Sequence, residues 1–266
     1  MISQKEIIRP VFPQAAPPIF ILIYSNAAIF HTESHPPTLR DLRSNMSRRM
    51  IALNNHGVNS LRCGRYNDAI LSFRHAVQCA KTINTIQHMK DTYCAPEDVV
   101  LRRSPLECIE PSRLIDSSPS NAFDVYQAAF YLPKVEAVDY NLPELSVVLL
   151  YNIALSHHLA GLVGIEICDS HLLESLHYYK LALTTYRSQS DCTNIDRMAV
   201  ILGGVTNMGH IFSHFWKLRE VKSCYQILDR MLASSQCVSL SEEDADFFYS
   251  TLSYCAAQTR NVAPAA

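Results

Sequence analysis

The chain has 266 residues, 48% of them apolar and 18% charged, a globular composition long enough for one sizeable core. Its 23 Lys and Arg against 25 Asp and Glu leave a net charge of −2, which argues against nucleic acid or an anionic membrane as a partner, since both call for a basic surface. With only 7 glycines and neither a G-x-G-x-x-G nor a G-x-x-x-x-G-K loop, the phosphate-cradling enzyme classes have no foothold here.

Six prolines fall within residues 1–38 and six more within 84–143, while 39–83 and 144–262 hold none. The division predicts an extended N-terminal segment (1–42), a first helical hairpin (43–83), a proline-containing insertion (84–143) and a second helical region (144–260). Within the first segment, residues 18–24 are apolar, but a span needs about 20 such residues, and the preceding stretch lacks the pattern of a signal peptide. The segment 19–30 (IFILIYSNAAIF) reads instead as extended. It resembles 122–132 (AFDVYQAAFYL) in carrying a Tyr followed by Ala-Ala, and the two are candidates for a small two-stranded β element.

Apolar residues at i, i+3, i+4 spacing predict helices over about 43–62 and 66–82, split by Gly64. Further helices are predicted over about 144–160, 171–187, 195–215 and 218–233. A seventh begins after Ser239, where Ser239 and Glu242 have capping-box spacing. The acidic residues 242–246 suit the start of that helix through its dipole and need no other role.

The hairpins share an internal pattern. Gly57 is followed by Gly64, Tyr66, Ala69, Phe73 and Ala76; Ala154 by Gly161, then later by Ser175, Tyr179 and Ala182; Gly209 by Val221, Tyr225 and Leu228. This resembles the tetratricopeptide repeat, a helix–turn–helix with a small residue in helix A, Gly-x-Tyr at the turn and A-x-x-x-F-x-x-A in helix B. The third unit departs from it, with Trp216 at the turn glycine and Val221 and Leu228 in place of small residues. The resemblance implies a mainly α fold, an α-solenoid of three hairpins with a C-terminal capping helix and a concave groove lined by the A helices.

The same repeat position carries Asn55, Asn152 and Asn207. An amide offers both a donor and an acceptor, and proteins resembling kinesin light chains use asparagines there to hold the backbone of an extended peptide. The alternative is that each Asn bonds within its own unit. Around them the resemblance places Asn54, Val58 and Arg62, then Tyr151, Leu155 and His158, then Thr206, His210 and His214. Lysines of the family's carboxylate-clamp pattern are missing, with Ile51, Asn54, Val148, Tyr151, Gly203 and Thr206 at those positions, so chaperone C-termini are not the expected ligands.

Catalytic and metal chemistry are not expected. His210 and His214 have the i, i+4 spacing of a ligand pair, but His210 is not followed by Glu as H-E-x-x-H requires. The nine cysteines (63, 79, 94, 108, 168, 192, 224, 237, 255) include no C-x-x-C and none at an evident basic helix start, and they read as buried thiols of a reducing, cytoplasmic compartment. Arg40, Arg43, Arg48 and Arg49 read as a solvated helix face. The expected function is therefore a non-enzymatic adaptor for a protein or peptide, without cofactor, or alternatively a structural or self-associating subunit whose groove is filled by its own N-terminal segment or a second copy.

Overall fold

In the computed structural model, the residues described are 38–90, 108–109, 123–132, 142–163, 168–188, 198–234 and 240–261. They form a mainly helical structure with α1 (Leu39–Arg62), α2 (Tyr66–Lys90), α3 (Leu142–Leu162), α4 (Asp169–Arg187), α5 (Met198–His214), α6 (Leu218–Leu232) and α7 (Glu242–Asn261). The strands β1 (Cys108–Ile109) and β2 (Ala129–Phe130) are two residues each.

The helices pack as consecutive hairpins, α1 on α2, α3 on α4 and α5 on α6, with α2 against α3, α4 against α5 and α7 against α6 and α5. Helix α3 has neighbours on every side, which explains an otherwise anomalous composition. It is long and apolar enough to cross a membrane over Leu145–Leu162, yet 83% of that stretch is buried inside the protein. A helix enclosed all round needs no polar stripe.

Local signals decide the helix ends. Helix α1 starts at Leu39, four residues before the sequence expectation, because Thr38 and Asp41 form a capping box: the Asp41 amide donates to Thr38 Oγ1 at 3.2 Å and the Thr38 amide to Asp41 Oδ2 at 3.0 Å. Helix α3 starts at Leu142 and includes Pro143, whose missing N–H is harmless in a first turn. The cap of α7 is Ser241 with Asp244, where the Asp244 amide donates to Ser241 Oγ at 3.1 Å, and not the expected Ser239 with Glu242; Ser239 lies outside the described residues.

The β element also differs from expectation. Strand β2, inside the stretch 122–132, pairs antiparallel with β1 (Cys108 opposite Phe130, Ile109 opposite Ala129), so its partner comes from the insertion. The stretch 19–30, expected as its partner, lies outside the described residues.

Small residues set the closeness of helix packing, but not uniformly. A Cβ on Gly57 would stand 2.7 Å from the Phe73 ring of α2, so α1 and α2 meet through a glycine as the repeat pattern implies. Gly161 faces Leu172 of α4 at 3.0 Å by the same measure. Gly209 does something else: its nearest neighbours are the ring atoms of Phe123, outside the hairpin to which it belongs. Replacing Gly57 by Ala, which ordinarily favours a helix interior, is therefore expected to destabilise the protein by about 1–3 kcal/mol through overpacking, read as a lower urea midpoint with an unchanged slope.

Candidate functional site

Residues 123–132 run as an extended strap across one face of α5, α3 and α1, in that order, and three asparagines hold its main chain. Tyr126 donates its amide to Asn207 Oδ1 at 2.8 Å, and its carbonyl accepts from Asn207 Nδ2 at 3.0 Å. Phe130 is held in the same way by Asn152, at 3.1 and 2.8 Å. Leu132 is held by Asn55, at 2.9 and 2.8 Å. The residues gripped are an even number apart because an extended chain turns its polar groups to alternate sides. Between them the Ala128 carbonyl accepts from the Tyr151 hydroxyl at 3.0 Å. Each asparagine thus supplies the donor–acceptor pair that a neighbouring β-strand would supply.

The amides are themselves oriented. Asn152 Nδ2 donates to Asn54 Oδ1 at 2.9 Å, and Asn54 Nδ2 donates to the Phe130 carbonyl at 3.1 Å, so this carbonyl accepts from two helices. Asn207 Nδ2 also donates to the Tyr179 hydroxyl at 2.8 Å. Asn54, Asn152 and Asn207 are fully buried. In such surroundings an unpaired amide costs about 1–3 kcal/mol, which fixes both their rotamers and the register of the strap.

Side chains of the strap complete the fit. Phe123, Tyr126, Phe130 and Leu132 are all at least 95% buried, each contributing about 1.5–3 kcal/mol of apolar transfer. The Tyr126 ring lies where a Cβ on Gly203 would be 2.3 Å away, so only glycine fits there, and the Phe123 ring occupies the corresponding space over Gly209. Tyr126 also packs against Phe247 and Phe248 of α7, at 5.2 and 4.8 Å between ring centroids, and its hydroxyl donates to Asp244 Oδ1 at 2.6 Å. The acidic start of α7 therefore has a second role, fastening the strap. At the other end the Tyr131 hydroxyl donates to Asn59 Oδ1.

The residues singled out from the sequence separate into three groups. Asn54, Asn55, Tyr151, Asn152 and Asn207 touch the strap through hydrogen bonds. Val58, Leu155, Thr206 and His158 are fully buried but have no hydrogen bond to it among those described. Arg62 is exposed, and His214 places Nε2 3.2 Å from Asp169 Oδ1 on α4. Asn59, Asp244, Gly203 and the strap's own aromatics were not anticipated. The spacing of Asn59, one turn beyond Asn55, was the only sequence signal for any of them.

His210 meets His158, Nδ1 to Nε2 at 3.1 Å, across the α3–α5 contact. A second pair, His157 and His171, joins α3 to α4 at 3.0 Å. Among the described residues no three His, Cys, Asp or Glu side chains converge as metal ligands. Burial, and then the charges of His210 and His214, hold His158 well below the usual imidazole range. Burial, and then His214, push His210 down to about 4. Burial, then His171 and Arg74, do the same to His157. Among the cysteines, burial raises Cys224 and Cys255 to about 12, which keeps them as thiols. Cys63 and Cys168 depart from the sequence reading in being exposed; Cys168 is the N-cap residue of α4, and hydrogen bonds from the Ser170 side chain and the His171 amide lower its pKa.

Two outcomes are expected. Asn152→Asp keeps volume but turns acceptors toward the Phe130 carbonyl and Asn54 Oδ1. It should cost at least about 2 kcal/mol at pH 7, and part of that loss should return relative to wild type near pH 4–5, as protonation of the buried acid restores a donor; urea titrations at both pH values measure it. Separately, the unfolded chain binds protons on its histidines below about pH 6.5, while His210 in the folded chain resists until about 4. These histidines should leave stability unchanged above pH 7 and lower it between these values by about 1.4 kcal/mol per pH unit for each. Glutamine at both 158 and 210 should make that slope shallower, whatever it does to absolute stability.

Compared with protein families, with curated proteins and with solved structures, the chain matches none.

Proposed function

We propose that the chain is a non-catalytic protein-interaction scaffold of the tetratricopeptide kind, a short solenoid of three hairpins ended by α7, whose concave groove is filled by its own residues 123–132. One observation carries the reading. The asparagine expected at the same position of each unit to grip an extended peptide is, in all three units, bonded to both main-chain groups of one strap residue. The occupant differs from the N-terminal segment or second copy that the sequence suggested. A groove filled this way favours the structural subunit over the adaptor, because a competing peptide would have to expel Phe123, Tyr126, Phe130 and Leu132 into water. Partners then meet the protein on its other surfaces.

The adaptor reading retains one specific support: the ladder touches only main-chain atoms of the strap, and any extended segment offers the same atoms. Native-state hydrogen exchange at the amides of Tyr126, Phe130 and Leu132, together with titration of a labelled peptide of residues 123–132, separates the two. The structural reading expects these amides to exchange only through global unfolding and the peptide not to bind. Exchange through a much cheaper local opening, with stoichiometric peptide binding, would instead make the groove a receptor.

A further inference from the structure

Two hairpin turns share one hydrogen-bond geometry but differ at the residue that geometry constrains most. After α1, Gly64 donates to the Leu61 carbonyl at 3.0 Å and Arg65 to the Ser60 carbonyl at 2.9 Å. After α5, Trp216 donates to the Ser213 carbonyl at 3.0 Å and Lys217 to the Phe212 carbonyl at 2.9 Å. Gly64 has φ 69° and Trp216 has φ 54°, so both take the left-handed conformation that ends a helix. Glycine adopts it freely, whereas a bulky residue there is a conformational outlier. Among the described residues Trp216 is the only non-glycine with a positive φ.

The indole gains nothing from the fold in return. It is 78% exposed, and Leu218, two residues on, is 69% exposed, the highest values among the large apolar side chains described. At that exposure Trp216 does not seal the junction of α5 and α6. Both the backbone and the side chain at this position therefore oppose folding and solvation, which marks the turn as serving something outside the molecule.

Its surroundings narrow the partner. Lys217, Arg219 and Lys222 are all exposed around the two apolar groups, against Glu220 as the acidic neighbour in the same stretch. Lys217 Nζ lies 6.0 Å from the centre of the Phe215 ring. The start of α4 lies beside this turn, because Asp169 reaches His214 at the end of α5, and Val163, which follows α3, is 44% exposed. Exposed apolar side chains at neighbouring helix ends, with three cations against the two carboxylates of Glu220 and Asp169, suit a flat surface carrying negative charge. An indole rests at the headgroup level, a leucine reaches the acyl boundary, and lysine and arginine meet anionic headgroups. A second copy presenting its cleft between α2, α3 and α4, of about 690 Å³ and lined by Arg74 and Lys81 and by no carboxylate, would set cations against cations. The whole-chain charge of −2 is an average that this edge does not follow.

We propose that the Trp216 turn, with Leu218 and Val163, is an interfacial anchor that seats this edge of the protein on an anionic lipid surface.

Trp216 is the single tryptophan of the chain, so intrinsic emission reports on this turn alone. The full chain would be titrated with vesicles of phosphatidylcholine and with vesicles containing 30% phosphatidylserine, and sedimentation would give the partition coefficient. The proposal expects a blue shift and sedimentation with the anionic vesicles, weakened by salt, and little of either with the neutral ones. Lys217→Glu with Arg219→Glu keeps the reporter and should lower partitioning at least tenfold. Trp216→Gly should lower it by a similar factor while raising the melting temperature by about 2–4 °C, since it relieves the left-handed strain. Equal binding to neutral vesicles overturns the anionic assignment. No shift with either vesicle, or unchanged partitioning of a folded Trp216→Gly, overturns the anchor. A blue shift that grows with protein concentration in the absence of lipid assigns the turn to self-association instead.

Discussion

A buried extended segment must find partners for main-chain groups that no helix bond can satisfy, and the structure depends on how this is done. Residues 126, 130 and 132 lie against helices, which have no free backbone edge to offer them. Asparagine solves the problem because its side chain carries the same two groups as a peptide unit and is short enough to present them at the helix surface. Glutamine would add a rotatable bond, and aspartate would lack the donor. The requirement is strict in number as well as in kind, since any strap residue left ungripped would keep buried polar atoms without partners.

The ladder also ties together helices that otherwise meet mainly their neighbours. Helices packed in consecutive pairs are coupled locally, and such arrays lose cooperativity with distance. Here one strap of ten residues bonds to α1, α3, α5 and, through Tyr126 and Asp244, to α7. Loss of the strap at one point therefore weakens its hold everywhere. The glycines of α5 belong to the same arrangement. Gly203 and Gly209 leave room for Tyr126 and Phe123, so the sequence of α5 is fitted to a segment more than 70 residues earlier in the chain.

Much of this was legible in the sequence, for a physical reason. Helices follow from local periodicity, and five of the seven described lie wholly within the proline-free zones, with α2 running on to Lys90 and α3 starting at Leu142. The asparagines stood out because one residue type recurred at one repeat position, and a bidentate amide there has few uses. The identity of what they grip was not legible, because the backbone carries no sequence signature. Residues 122–132 announced themselves only as extended. Asp244 was hidden by an adequate local explanation, the acidic first turn of a helix, and Gly209 by another, the small residue of a hairpin. A residue that satisfies a local rule gives no sign of a second, distant role.

Trp216 illustrates the opposite case, a residue that violates its local rule. The third hairpin needs a left-handed residue after α5 as the first needs one after α1, and the two closing hydrogen bonds of each turn correspond. Consistency across levels would place glycine there. A tryptophan sets conformational preference and hydration against the fold at one point, on the surface, where no packing compensates. The gripped residues of the strap show the contrary case, with buried carbonyls answered by amides, aromatic rings by glycines and a tyrosine hydroxyl by a carboxylate. The gripped strap is thus matched within the chain, and the exposed turn is not. That asymmetry is the reason to look for its counterpart outside the chain.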